Sequence, residues 1–152
     1  MIIIKKLIPI LFFILLYQCG YSAVYKDKDT NFKIVVLEIN GNKDINNKIN
    51  FNLKKHLRNE SNKEFMISIN STLNKSVISK DLTGKATNYE LTAVSTFNIN
   101  YMGKTKVLSF NENLKIKSID NFFEQKKHEN EIISNFATSI YNKLIVQLEL
   151  IE

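Results

Sequence analysis

One thiol, two imidazoles and a scatter of lysines are what this chain offers for chemistry. Cys19 is the sole cysteine among 152 residues, so no intramolecular disulfide forms and a thiolate-rich zinc site is excluded. The two histidines are His56 and His128. His56 stands among Lys54, Lys55 and Arg58, and His128 between Lys127 and Glu129; such charged surroundings predict solvated rings rather than a tuned catalytic base. Glu129 and Glu131 are two positions apart, so they do not share a helical face for paired acid–base work. The Asn-rich stretch around Asp44 lacks the periodic acidic ligands and central glycine of a calcium loop. Gly20, Gly41, Gly84 and Gly103 are too dispersed to cradle a phosphate. No nucleophile–base pair emerges, and the expectation is a non-catalytic protein with no cofactor and no metal.

That leaves the lysines. Twenty-one Lys+Arg against fifteen Asp+Glu give +6. If the first eighteen residues are a cleaved leader, Lys5 and Lys6 leave with it, and nineteen cations face fifteen acids, or +4. Arg58 is the one guanidinium, and a mild lysine excess suits diffuse attraction to anions better than reading of bases. Nucleic acid is therefore not an expected partner. Lys80 and Lys85, Lys104 and Lys106, and Lys126 and Lys127 fall at expected turns and element ends. Solvated loops are the plain reading of such pairs; contact with a polyanion or lipid phosphates is the sharper one.

The elements that would position these groups are legible in the periodicity. Phe32–Ile39 is an apolar, β-branched run that Asn40-Gly41-Asn42 closes, and it predicts a buried strand. Ile45, Ile49, Leu53 and Leu57 recur every four residues and predict a helix, with Asp44 near its start. Phe65, Ile67 and Ile69 begin a second strand that runs on irregularly to Val77 and Ile78, and Asp81–Lys85 reads as a turn. Tyr89, Leu91, Ala93, Ser95, Phe97, Ile99 and Tyr101 share one face of a third strand, with Glu90, Thr92, Thr96, Asn98 and Asn100 on the other. Met102-Gly103 turns the chain into a fourth strand through Leu108, Phe110, Leu114 and Ile116. After Phe122 and Phe123, the stripe Ile133, Phe136, Ala137, Ile140, Leu144 and Leu148 predicts a long amphipathic helix, widened by Ile132, Tyr141 and Ile145. Most tyrosines and phenylalanines then fall on core faces. The expected fold is a two-layer α+β sandwich of order β-α-β-β-β-α: a four-stranded, mainly antiparallel sheet with two helices on one face. The first strand is expected to pair in parallel through its helix, and the far sheet face to be polar without strong charge.

Ahead of this domain, Lys5 and Lys6 precede the apolar run Leu7–Leu16, then Tyr17, Gln18 and Cys19. A basic start, a short apolar stretch and a processing site read as a secretory signal; an uncleaved anchor is the alternative. A cysteine directly after the run resembles the acceptor of a bacterial lipoprotein signal, although Gln18 stands where a small residue is usual. The resulting division is a signal peptide over 1–18, a lipid-anchor linker over 19–30 and a single α+β domain over 31–152.

The whole pattern resembles the lipopolysaccharide-assembly lipoprotein family LptE, in its alphaproteobacterial form. Cys19-Gly20-Tyr21 through Val24-Tyr25 is similar to the start of the mature family. Ala86–Leu91 resembles its small-polar-Tyr entry to the central hairpin, and Glu129–Leu148 its closing helix. The resemblance implies an outer-membrane lipoprotein on the periplasmic side, held by N-terminal acyl chains on Cys19. It implies seating as a plug within the LptD outer-membrane β-barrel, help in assembling that barrel, and contact with lipopolysaccharide. Lys85 and Lys127 are the positions nearest the family's basic sites. No catalytic turnover and no cofactor are implied.

Overall fold

The computed structural model describes residues 32–57 and 61–151. The predicted signal and linker, Cys19 and Arg58 lie outside the described residues. The elements are β1 (Lys33–Gly41), α1 (Lys43–Leu53) with a 3-10 turn over Lys54–His56, β2 (Glu64–Lys80), β3 (Ala86–Tyr101), β4 (Lys104–Lys117) and α2 (Phe122–Glu149). They form one sheet in the order β1-β2-β3-β4. β1 lies parallel to β2, and the other two pairs are antiparallel. The α+β fold and its β-α-β-β-β-α order are those expected.

Local chemistry accounts for the element ends. The Asn42 side chain accepts from the backbone N–H groups of Asp44 and Ile45, capping α1. Asn121 does the same for Phe123 and Glu124 at the start of α2. Each cap satisfies donors that the first helical turn leaves unpaired. Met102 (φ 50°) and Gly103 (φ 76°) both take the left-handed backbone of a two-residue hairpin turn.

One face of the sheet packs on both helices. Ile34, Phe65, Ile67, Leu91, Phe97 and Ile99 from the strands meet Ile45, Ile49 and Leu53 of α1 and Ile140, Leu144 and Leu148 of α2, all buried. Burial of this set dominates the favourable side of folding, at about 1.5–3 kcal/mol per large side chain.

β1 ends where Gly41 meets Ser71. Gly41 has φ +88°, and a Cβ there would stand 2.1 Å from the Ser71 carbonyl oxygen. Beyond this level the sheet has three strands, because β2 runs nine residues further, to Lys80. The boundary is marked by the fully buried Ser71 and Ser95 hydroxyls, which bond each other at 2.7 Å. The lower half thus has four strands under two helices, whereas the upper half has three strands under the first part of α2.

His56 departs from expectation. It is buried, stacked between Phe32 (5.7 Å) and Tyr141 (6.0 Å), with Nε2 2.8 Å from the Tyr141 hydroxyl. The cause is the tightening of α1 into a 3-10 turn. At three residues per turn, position 56 comes beneath position 53, so His56 takes the inward place the stripe assigned to Leu57. Leu57 is left exposed. Phe122 and Phe123, expected as a bridge, form the first turn of α2 and are exposed, as is Phe51.

Candidate functional site

The uncovered sheet face is a broad surface of uniform chemistry. Alternation within each strand puts every second side chain there, and the register lines them up in rows. These rows read Ser68–Asn98–Val107, Asn70–Thr96–Ser109, Thr72–Val94–Asn111 and Asn74–Thr92–Asn113. They hold hydroxyls, amides and methyl groups and no formal charge. Thr96 and Ser109 stand in hydrogen-bond contact across it, at 3.3 Å. Charges enter toward its margins, as Glu38 of β1 beside Ser68, Glu90 opposite Lys115, and Lys117 above them. The expectation of a polar, weakly charged face carrying Thr92, Thr96 and Asn98 holds.

The second surface is the upper tip, where the β2–β3 loop and the start of α2 come together. Asp81 organises the loop: its carboxylate accepts from the Thr83 hydroxyl (2.6 Å) and from the backbone N–H groups of Thr83 and Lys85. The Thr83 hydroxyl above all holds the Asp81 carboxyl below its usual range. Lys85 pairs with Asp120 at 2.6 Å. Their bond raises the lysine's pKa and lowers that of Asp120, and it ties the loop to the residues just before α2. Both groups are exposed, so solvent screens the pair. Leu82 at the loop tip is fully exposed, and Phe122 and Phe123 stand out edge to face, 5.8 Å between rings.

The two candidate lysines reach this end of the molecule without sharing a site. Lys85 lines a groove with Asp81, Asn88, Lys117 and Asp120. Lys127 lines another, between the helices, with Lys48, Phe123, Lys126, Asn130 and Glu131. The second groove gathers three lysines beside an exposed aromatic ring. Sequence reasoning missed Lys48 and the exposed phenylalanines. Lys48 comes from another helix, and an aromatic pair before an apolar stripe resembles core.

The upper half adds polar contacts to its buried apolar residues, Leu91, Ala93, Ile116, Ile132 and Ile133. Glu129 pairs with Lys75 (2.6 Å) and accepts from Gln125 (2.6 Å), and Gln125 accepts from the Ile119 N–H. Burial pushes the Glu129 carboxyl up, but Lys75 and Gln125 together hold it below its usual range. Lys75 also lies over the Tyr89 ring, 4.0 Å from its centre, a favourable cation–π placement. Glu112 points to the helix side of β4, where it accepts from Ser139 (2.7 Å) and pairs with Lys143 (2.5 Å). Burial again opposes its charge, and Lys143 and Ser139 override it, leaving the pKa lowered.

His128 is exposed on α2. Among the described residues no cluster of His, Cys, Asp and Glu could hold a metal ion. No described helix is long and apolar enough to cross a membrane.

No protein-family model matches the chain, and no curated protein matches it in sequence. Solved structures do. Rare lipoprotein B from Shewanella oneidensis superposes with TM-score 0.56 at 14% identity, covering 74% of this chain and 92% of that one. An uncharacterized lipoprotein B from Nitrosomonas europaea gives 0.53 at 11% identity, covering 82% and 90%. A minor lipoprotein from Acinetobacter baumannii gives 0.50 at 13%, covering 74% and 91%. At these identities the likeness is one of fold, and this chain shares its α+β fold with three bacterial lipoproteins.

Proposed function

We propose that this protein is a non-catalytic envelope lipoprotein that seats within a wide outer-membrane β-barrel, LptD, and assists lipopolysaccharide transport to the outer leaflet. Acyl chains on Cys19 would hold it to the outer membrane from the periplasmic side. The observation that carries the reading is the uncovered sheet face, with its uncharged Ser, Thr and Asn rows. The lumen wall of a wide barrel is polar and hydrated, and a broad neutral polar face can lie against it without burying unpaired charge. The exposed lysines of the tip, Lys85 and Lys127 among them, supply cations for the phosphates of lipopolysaccharide. The lipoprotein names of the structural neighbours and the cysteine after the apolar leader support the anchored part of the reading.

The groove of Lys48, Lys126, Lys127 and Phe123 favours a second reading, an envelope lipoprotein that binds an anionic or lipidic ligand without a barrel. One experiment separates the two. The tagged protein is captured from outer membranes in mild detergent and its eluate identified by mass spectrometry. A large β-barrel recovered near one-to-one supports the plug, and the Cys19→Ala variant should lack the mass of the acyl chains when the captured protein is weighed intact. Recovery alone, or with inner-membrane proteins only, overturns it.

A further inference from the structure

We propose that the outer edge of β4 is a docking site for an extended, acid-flanked segment of a partner protein, which adds to the sheet as a fifth strand. Among the described residues β4 pairs only with β3. The turn at Met102-Gly103 fixes which groups it leaves open. Tyr101 and Lys104 close a two-residue turn, so they exchange both their backbone bonds. The alternation then turns the N–H and C=O groups of Thr105, Val107, Ser109, Asn111 and Asn113 away from β3. Beside this row, between β4 and the flank of α2, runs an open groove of about 540 Å³ lined by Phe110, Asn135, Thr138, Asn142 and Val146, among others. An added strand would hydrogen-bond to the open row and drop every second side chain into the groove, which is how strand addition divides affinity from specificity.

Edge strands are normally defended by charged side chains, lysines above all, by a proline or by a bulge. β4 carries its lysines at its two ends only, and its one inward carboxylate, Glu112, is satisfied by Lys143 and Ser139. No proline and no register shift interrupts the strand. The uncharged run 107–111 therefore lies open.

Charge selects the occupant. Lys104 and Lys106 stand at one end of β4 and Lys115 and Lys117 at the other, with Glu90 opposite Lys115 as the acid facing them across the pair. In a β4–β4 pair between two copies, the four lysines of each strand would gather along one seam, where the one acid of the strand, Glu112, is already held by Lys143. That accumulation of like charge within a Debye length disfavours a second copy. A strand carrying carboxylates at both ends and uncharged, β-branched residues between them fits.

The test uses the full chain in mild detergent and two labelled synthetic peptides with the same Thr/Val centre, one with Asp and Glu at both ends and one with lysines. Fluorescence anisotropy should show the acidic peptide binding, more weakly as salt rises, and the lysine peptide at least tenfold weaker or not at all. Amide exchange should slow at Val107, Ser109 and Asn111 in the complex. Ser109→Pro removes an outward donor without touching the β3 ladder. Val146→Glu fills and charges the groove from an exposed helix position. Each should weaken binding about tenfold, the scale of one lost hydrogen-bonded contact. Reversing Lys104, Lys106, Lys115 and Lys117 to Glu should invert the preference between the peptides. Failure of the acidic peptide to bind, binding indifferent to peptide charge or to both single variants, or a dimer that Ser109→Pro dissolves would overturn the proposal. Barrel capture is a separate readout, so either idea can fail without the other.

Discussion

The lower and upper halves of this sheet share three strands and are held by different mixtures of forces. Below the Ser71–Ser95 contact, Phe65, Ile67 and Ile69 lie on the helix-covered face and are essentially inaccessible to solvent. Above it, the same face of β2 carries Leu73, Lys75 and Val77, and Val77 is 46% exposed. Its helix is kept in place by Lys75, Gln125 and Glu129. Apolar burial is undirected and is densest in the half that has two helices. Where one helix must be aligned on a three-stranded sheet, a smaller buried set, Leu91, Ala93 and Ile116 with Ile132 and Ile133, is supplemented by hydrogen bonds and ion pairs. The larger share of the apolar core lies below, and the surfaces available for recognition lie on the open face, the edge and the tip.

Phe65→Ala and Val77→Ala break this comparison most sharply, since the two residues share a strand and a face. The first should cost about 3–5 kcal/mol and the second under about 0.5 kcal/mol, read as the difference in urea midpoint. Next is His56→Ala, which removes a buried ring between Phe32 and Tyr141. We expect a loss of about 1–3 kcal/mol with barrel capture intact once folded, whereas His128→Ala should change neither. Hydrolytic activity that is lost in His128→Ala would contradict the non-catalytic reading.

Glu129→Gln should act on one half only. Amide exchange near Tyr89 and Gln125 should speed up, by the equivalent of about 1 kcal/mol, while that of the Ile67 and Phe97 region stays fixed. Acid should reproduce this. The two partly buried carboxyls held below their usual range, Glu112 and Glu129, both lie above the serine pair. A carboxyl whose folded pKa is depressed stabilises the fold above its unfolded value and loses that contribution as pH falls through the folded one. Titration from about pH 5 downward should therefore loosen the upper half before the lower. Uniform loss of protection would remove the distinction. Least of all, Lys85→Ala should leave the melting temperature unchanged, because the Lys85–Asp120 pair is exposed; its effect should appear only in binding of phosphorylated lipid.

How legible each half was follows the same division. Period-two alternation over 89–101 and the stripe from Ile133 to Leu148 report burial directly, and every position they assign to the core is buried or partly buried. α1 was legible to Leu53 and failed one turn later, since a change from 3.6 to three residues per turn leaves no mark in composition. The inward Glu112 was invisible because its partners Ser139 and Lys143 come from an element 27 and 31 residues away. The tip depends on loop geometry set by one Asp81 carboxylate. The open face was foreseen in kind, while its rows required the register.

The length of β2 has a consequence for topology. Seventeen residues at about 3.3 Å each rise roughly 50 Å, about twice the ~25 Å apolar band of an outer-membrane barrel. A body of that length standing upright in a lumen would be wetted from two compartments at once. The pole where Phe32 enters would answer to impermeant reagents in the periplasm, and the Leu82 loop to reagents added outside the cell.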